Sequence, residues 1–275
     1  FLMHAIPGGP FTQEKNLPPA VQANIEARYK LNDPLIKQYG DYLSNVLAGD
    51  LGPSFKYVGR SVNDIIAESF PVSFELGMES IFISLLLGIP AGVIAAYRRN
   101  TWQDKGINFL TTFGIAVPGF VLAAVLVEIF AIRLGWFPAA MWTGWNSRIL
   151  PAMALAVMPM AFITRLTRSS MLDVLGQDYI KTAKAKGLDT IHILFKHALP
   201  NALIPVVTYV GPMVASILTG SFVIETIFAI PGLGSYFVTS IYNRDYTVIL
   251  GVTIFYSAII IFMNILVDIV YPLLD

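Results

Sequence analysis

The chain contains no cysteine, which excludes a disulfide framework, thiolate metal sites and a cysteine nucleophile. Charge is scarce as well: only 13% of the 275 residues are Asp, Glu, Lys or Arg, where a soluble domain carries roughly a quarter. With 55% hydrophobic residues and a mean hydropathy of +0.65, the composition is that of an integral membrane protein. The formal net charge is zero, so nothing global points to nucleic acid, and any electrostatic message lies in where the charges sit. No phosphate-cradling loop of the Gly, four residues, Gly-Lys-Ser/Thr type occurs. A nucleophile elbow and a helical His-Glu zinc motif are also missing. The histidines are His4, His192 and His197; a spacing of five places the last two about 140° apart on an α-helix, which speaks against a shared metal.

Five runs are long and apolar enough to cross a bilayer core, which takes about twenty residues per helix. They lie at 74–97, 106–132, 149–168, 202–224 and 248–271. Phe1, Leu2, Met3 and Ile6, ahead of Pro7-Gly8-Gly9-Pro10, read as the end of a truncated first span over residues 1–9, making six. Lys and Arg accumulate on the cytoplasmic side of membrane proteins. Arg98, Arg99, Lys105, Arg165, Arg168, Lys181, Lys184, Lys186 and Lys196 fall on one side, and Arg133, Arg148 and Arg244 on the other. That excess places the 171–200 segment and the C-terminus in the cytoplasm and residues 10–73 outside.

Residues 10–73 differ in kind, with seven acids, six bases and turn punctuation at Pro18-Pro19, Asp33-Pro34 and Gly49-Asp50-Leu51-Gly52. They predict a small helical external domain. One helix begins after an Asn32 or Asp33 cap with Leu35, Tyr39, Tyr42, Leu43 and Val46 at spacings of three and four; others cover 19–30 and 61–70. The domain caps the membrane helices or contacts an external partner. Within the spans, Pro90, Pro118, Pro159, Pro205 and Pro212, with the Gly88 and Gly92 pair, fit close packing or a hinge. Glu75, Glu79, Glu128 and Asp268 are the acidic groups of the spans, all near their ends.

Between the third and fourth spans lies Tyr179 to Pro200, reading YIKTAKAKGLDTIHILFKHALP. Tyr179, Thr182, Ala183 and Lys186 recur at helical spacing before Gly187, a natural stop. Asp189 or Thr190 can cap a second helix, with Ile191, Leu194, Phe195 and Ala198 on one face, before Pro200 ends or bends it. An apolar stripe with basic flanks suits helix-in-groove docking. The alternative is a surface-lying helix held to anionic headgroups by Lys184, Lys186 and Lys196; the glycine corner, which such a helix does not need, favours docking.

This segment resembles the EAA loop of binding-protein-dependent ABC importer permeases. Of the motif Glu-Ala-Ala, three residues, Gly, nine residues, Ile, one residue, Leu-Pro, it keeps Ala183, Gly187, Leu199 and Pro200, with Lys181, Thr182 and His197 at the other positions. Glu225-Thr226-Ile227-Phe228-Ala229-Ile230-Pro231-Gly232-Leu233-Gly234, followed by Asn243-Arg244-Asp245-Tyr246, is similar to the external segment of peptide-class permeases. Leu31-Asn32-Asp33-Pro34 and Gly49-Asp50-Leu51-Gly52-Pro53-Ser54-Phe55-Lys56 resemble the B-type subunit of oligopeptide importers more than the dipeptide and nickel relatives.

The resemblance implies an all-α type I ABC importer permease fold in a bacterial inner membrane. Its parts would be an external domain at 10–73 and a permease core at 74–275 carrying the cytoplasmic coupling segment 171–200. It further implies a homologous second permease, two cytoplasmic ATPases that bind the ATP and Mg, an external peptide-binding protein, and a peptide substrate. The chain itself would be non-catalytic, without cofactor or metal, surrounded by lipid and free of nucleic acid. Ala183, Gly187, Leu188, Ile191, Leu194, Phe195, Leu199 and Pro200 would couple to an ATPase, and Glu225, Phe228, Pro231, Gly232 and Gly234 would mark the external segment. A stand-alone secondary transporter or channel, with Glu128 or Asp268 sensing ions, is the competing reading.

Overall fold

The computed structural model describes residues 33–57 and 59–270; the expected end of a first span at 1–9 and the helix expected at 19–30 lie outside them. The described chain is helical, in the order α1 (Leu35–Leu47), α2 (Val62–Tyr97), α3 (Trp102–Ala116), α4 (Gly119–Leu126) running into a π-helical turn (Val127–Arg133), and α5 (Trp145–Leu175). Then come α6 (Asp178–Ala185), α7 (Thr190–His192), a second π-helical turn (Ile193–Ala198) and α8 (Leu199–Ala202). α9 (Ile204–Gly220), α10 (Phe222–Ile227), α11 (Leu233–Asn243) and α12 (Tyr246–Val270) complete it.

Among the described residues four stretches are long and apolar enough to cross a membrane: α2, α5, Ile204–Ile227 and Tyr246–Leu266. The span expected at 106–132 is instead a pair, Trp102–Ala116 and Gly119–Arg133, bent by 108°. Pro118 explains the bend. It has no N–H to continue the ladder, and it drives Val117 before it to extended backbone, φ −86° and ψ 123°.

A second correction concerns the helix expected at 61–70, which is the first part of α2. Ser61 and Asp64 form a capping box, the Ser61 hydroxyl accepting from Asp64 N–H at 3.1 Å and Asp64 Oδ2 from Ser61 N–H at 3.0 Å. From there the helix continues through Pro71 and Pro90, since one buried stripe (Ile65, Ser69, Ser73, Leu76, Ser80) persists across Pro71. At about 1.5 Å per residue it outreaches a hydrocarbon core of roughly 30 Å. α1 forms where expected but has no side-chain cap; Asp33 pairs with Lys37 at 3.0 Å instead.

α2 and α5 run side by side in the same direction. At one end Arg148 of α5 bridges Glu75 and, at 3.3 Å, Glu79 of α2 while stacking over Trp142 at 4.8 Å. In the middle the Ser84 hydroxyl donates to Ala156 O at 3.0 Å. Toward the other end Gly88 and Gly92 press on α5, where Thr164 O lies 2.7 Å and Thr167 Cβ 2.5 Å from the place a Gly92 Cβ would take. Close packing is therefore what this small-residue pair provides. There α3 joins by a two-point ion pair on the buried Asp104, with Arg168 Nε on Oδ1 at 2.7 Å and its Nη2 on Oδ2 at 2.9 Å.

Candidate docking site at the polar corner

α6 closes with a Schellman turn: Leu188 N–H donates to Ala183 O at 3.3 Å and Gly187 N–H to Lys184 O at 2.9 Å. Gly187 has φ +76°, and nothing lies within 4 Å of where its Cβ would stand. Backbone conformation, not crowding, demands glycine. Asp189 caps the next helix, its carboxylate accepting from Ile191 N–H at 3.0 Å.

The run that follows departs from α-helical register. Pro200 cannot donate to the Lys196 carbonyl four residues back, and its ring crowds that carbonyl; widening the turn relieves both. The result is the π-turn Ile193–Ala198, and the helix continues through Pro200 to Ala202 instead of ending there.

The wide turn divides the expected face. Ile191 and Phe195 are 65% and 61% exposed, and Leu188 is exposed beside them. Leu194 is only 9% exposed and turns inward with Ala183, Ile180, Ile193 and Ala198 onto Ala96 of α2 and Met171 of α5. Leu199 is half-buried at the rim of that cluster and Pro200 is exposed. The corner is thus seated on the ends of two spans while presenting Leu188, Ile191 and Phe195 outward. Tyr179 ties its two arms, its hydroxyl accepting from Asn201 Nδ2 at 3.0 Å. Lys181, Lys184, Lys186 and Lys196 are exposed around the apolar face, and Lys181 pairs with Asp178 at 2.8 Å.

The 225–234 segment forms a second tight corner. Glu225 is fully buried; its carboxylate accepts from the Ser221 hydroxyl and, at 3.0 Å, from Ser235 N–H. Ser73 of α2 accepts from Leu233 N–H at 2.8 Å. A Cβ on Gly232 would run into the Glu225 carboxylate and the Ser73 hydroxyl, and one on Gly234 would lie 2.6 Å from Phe222 Cα. Phe228 is buried with Leu76, Ile224 and Ile230, whereas Pro231 is exposed. Beyond α11, Asp245 gathers the loop at 53–56: its carboxylate accepts from Phe55 N–H at 3.1 Å, Lys56 N–H at 3.3 Å, the Thr247 hydroxyl at 3.0 Å and the Ser54 hydroxyl. All of these contacts are structural, with no nucleophile–base pair among them.

Residues 88–275 match the family described as binding-protein-dependent transport system inner membrane component. The chain belongs to that family. The permease is 57% identical over 274 residues to the dipeptide transport system permease protein DppB of Bacillus subtilis (strain 168), covering 100% of this chain and 89% of that one. It is 49% identical over 277 residues to the oligopeptide transport system permease proteins OppB of Haemophilus influenzae and of Escherichia coli (strain K12), covering 100% of this chain and 90% of each. Identity to this dipeptide permease exceeds that to the two oligopeptide ones.

Among solved structures the permease is similar to the MetNI methionine ABC transporter in an inward-facing conformation. The TM-score is 0.66 with 17% identity, over 77% of this chain and 96% of that one. A bacterial ABC transporter involved in import of the acidic polysaccharide alginate follows at 0.54 and 14%, over 90% and 98%. The type I ABC importer permease fold is therefore the fold observed.

Among the features of this corner and its surroundings that escaped sequence reasoning are the Tyr179–Asn201 clasp, the Asp104–Arg168 pair and the outward–inward division at Leu194. Only the second had a visible signal, a lone acid among the basic residues that precede an apolar run.

Proposed function

We propose that this permease is the membrane subunit of an ATP-driven peptide importer, and that its 178–202 corner is the seat of a cytoplasmic ATPase. Residues 10–73 then face outward and the C-terminus faces the cytoplasm. A homologous permease completes the path, an external binding protein delivers the peptide, and two partner ATPases hold the ATP and Mg, leaving this chain without catalysis of its own. The observation that carries the reading is the anchoring of the corner. Leu194, Ala183 and Ala198 lock it to the ends of α2 and α5, so force applied at Ile191 and Phe195 reaches both spans. The stand-alone ion carrier with Glu128 or Asp268 as sensor is less well supported, since Glu128 is engaged by Arg133 at 2.9 Å.

The division at Leu194 makes the reading testable. Phe195→Ala should leave thermal stability of the purified permease unchanged, because the ring is exposed. The same variant should weaken ATPase co-purification by tenfold or more, as loss of a central aromatic anchor does at about 2 kcal/mol. Leu194→Ala should do the reverse in the first readout, lowering the melting temperature by removing buried volume worth about 2–3 kcal/mol. Equal ATPase association in Phe195→Ala and the parent would sink the docking role.

Gly187→Val is expected to act through backbone alone. A side chain at φ +76° costs about 1–2 kcal/mol, and a β-branched one tolerates that region least. Peptide uptake should fall severalfold, with Gly187→Asn close to the parent because Asn accepts the left-handed region. Uptake lost equally in both variants would point to crowding, which the open space around Gly187 does not contain.

A further inference from the structure

On an α-helix His192 and His197 would point about 140° apart. In the structure their ring centres are 5.5 Å apart with planes inclined by 59°. The π-turn between them is the cause. At about 4.4 residues per turn, the geometry of i to i+5 bonding, five residues return to within roughly 50° of the starting face. A spacing that separates two rings on an ordinary helix brings them together here.

We propose that His192 and His197 form a two-imidazole seat for a divalent transition-metal ion. A cation about 2.1 Å from one nitrogen of each ring lies about 3.2 Å from each ring centre, and a tetrahedral angle then separates the centres by about 5 Å. The observed 5.5 Å is close to that separation. His192 is exposed and His197 half-exposed, so an ion can reach them and water can fill its remaining positions. Imidazole pairs favour Zn²⁺, Ni²⁺ and Cu²⁺, with Cu²⁺ held most tightly. The surrounding lysines are solvent-exposed, which weakens their repulsion of a bound ion through the high dielectric of water. Because the two ligands lie at either end of one wide turn, a bound ion braces the turn. Ion affinity and π-helical register are therefore two readouts of one state. The site stands on ring geometry alone and does not depend on whether an ATPase docks nearby.

The test uses the purified full-chain permease, on an affinity tag free of histidine, titrated with Cu²⁺ alone and followed by electron paramagnetic resonance. One Cu²⁺ with two imidazole nitrogens is expected. His192→Ala and His197→Ala should each weaken binding at least tenfold and reduce that signal to a single nitrogen. Pro200→Ala, which removes no ligand but relieves the reason for the wide turn, should weaken it as well once size exclusion shows the chain folded. A Cu²⁺ signal unchanged by either histidine substitution would overturn the site. Unchanged binding in folded Pro200→Ala would overturn the role given to the π-turn.

Discussion

Gly92→Leu is expected to prevent the permease from accumulating as a folded protein. The place a Cβ would take is already 2.5 Å from Thr167 Cβ and 2.7 Å from Thr164 O, and Gly88 one turn earlier stands 3.0 Å from Met160 O in the same sense. Two of these neighbours are backbone of α5, which cannot rotate aside as a flexible side chain would. The added volume must therefore push α2 and α5 apart along their whole contact, which also carries the Ser84–Ala156 hydrogen bond and, at the far end, the Arg148 ion pairs. Overpacking of a rigid site costs about 1–3 kcal/mol, occasionally more; four added carbons against backbone belong at or above the upper end. In a bilayer the helices have no hydrophobic force to hold them once packing is lost. Size exclusion should show aggregate in place of the parent peak, and the melting temperature of any residual monomer should drop by several degrees. Gly92→Ala should be damaged too. Pairing it with Thr167→Gly should recover part of the loss, because the Thr164 carbonyl remains in the way. A Gly92→Leu protein that elutes and melts like the parent would show that α2 and α5 do not rely on this contact.

The spans were legible because crossing a bilayer takes a set length of apolar chain, a property of composition that needs no knowledge of neighbours. The same reasoning misjudged 106–132. Apolarity there is continuous, and only the backbone at Val117 and Pro118 decides that the chain turns by 108°. Gly187 and the Asp189 cap could be read because both solve local problems, a left-handed turn and orphan N–H groups. Leu194 was misplaced for a different reason. Reading a face from spacing assumes 3.6 residues per turn, and Pro200 had widened the turn that sets it. The proximity of His192 and His197 was lost by that same assumption. The ion pair between helices was hidden more deeply, since Asp104 and Arg168 are 64 positions apart and no local pattern couples them. Likewise the 53–56 loop and the 243–246 turn were noticed as separate motifs, and only the folded chain shows that one is built around the other.

Asp245→Ala should undo that junction while leaving the polar corner intact. Asp245 is fully buried and follows Arg244, a non-glycine residue at φ +56° that caps α11. Its carboxylate accepts from Phe55, Lys56 and Val248 N–H groups and from the Ser54 and Thr247 hydroxyls. Truncation removes the acceptor these groups share, although Lys56 N–H keeps Ser54 Oγ at 3.1 Å and the Thr247 hydroxyl keeps Pro53 O. A buried donor left unpaired costs about 1–3 kcal/mol; water reaches the half-buried Phe55 and Lys56, so a loss of about 3 kcal/mol is the reasonable total. Asp245→Asn should recover less than half of it, because its amide turns a donor toward groups that also donate. The loss is local in kind. The single Thr247 hydroxyl proton is shared between Asp245 and Pro53 O, the latter at 2.7 Å, and Val62 packs on Gly251, so the start of α12 and the approach to α2 loosen together. The α2–α5 contact at Gly92 is untouched. Limited proteolysis should therefore cut the permease between 49 and 60 before any other site, with a lowered melting temperature but a retained size-exclusion peak. ATPase co-purification should be preserved, since the 178–202 corner sits at the opposite end of α2. A variant that lost ATPase association but not loop protection would place the docking surface at the wrong end of the molecule. Loss of loop protection alone would mean that the two ends hold their structure independently, as their separate hydrogen-bond networks require.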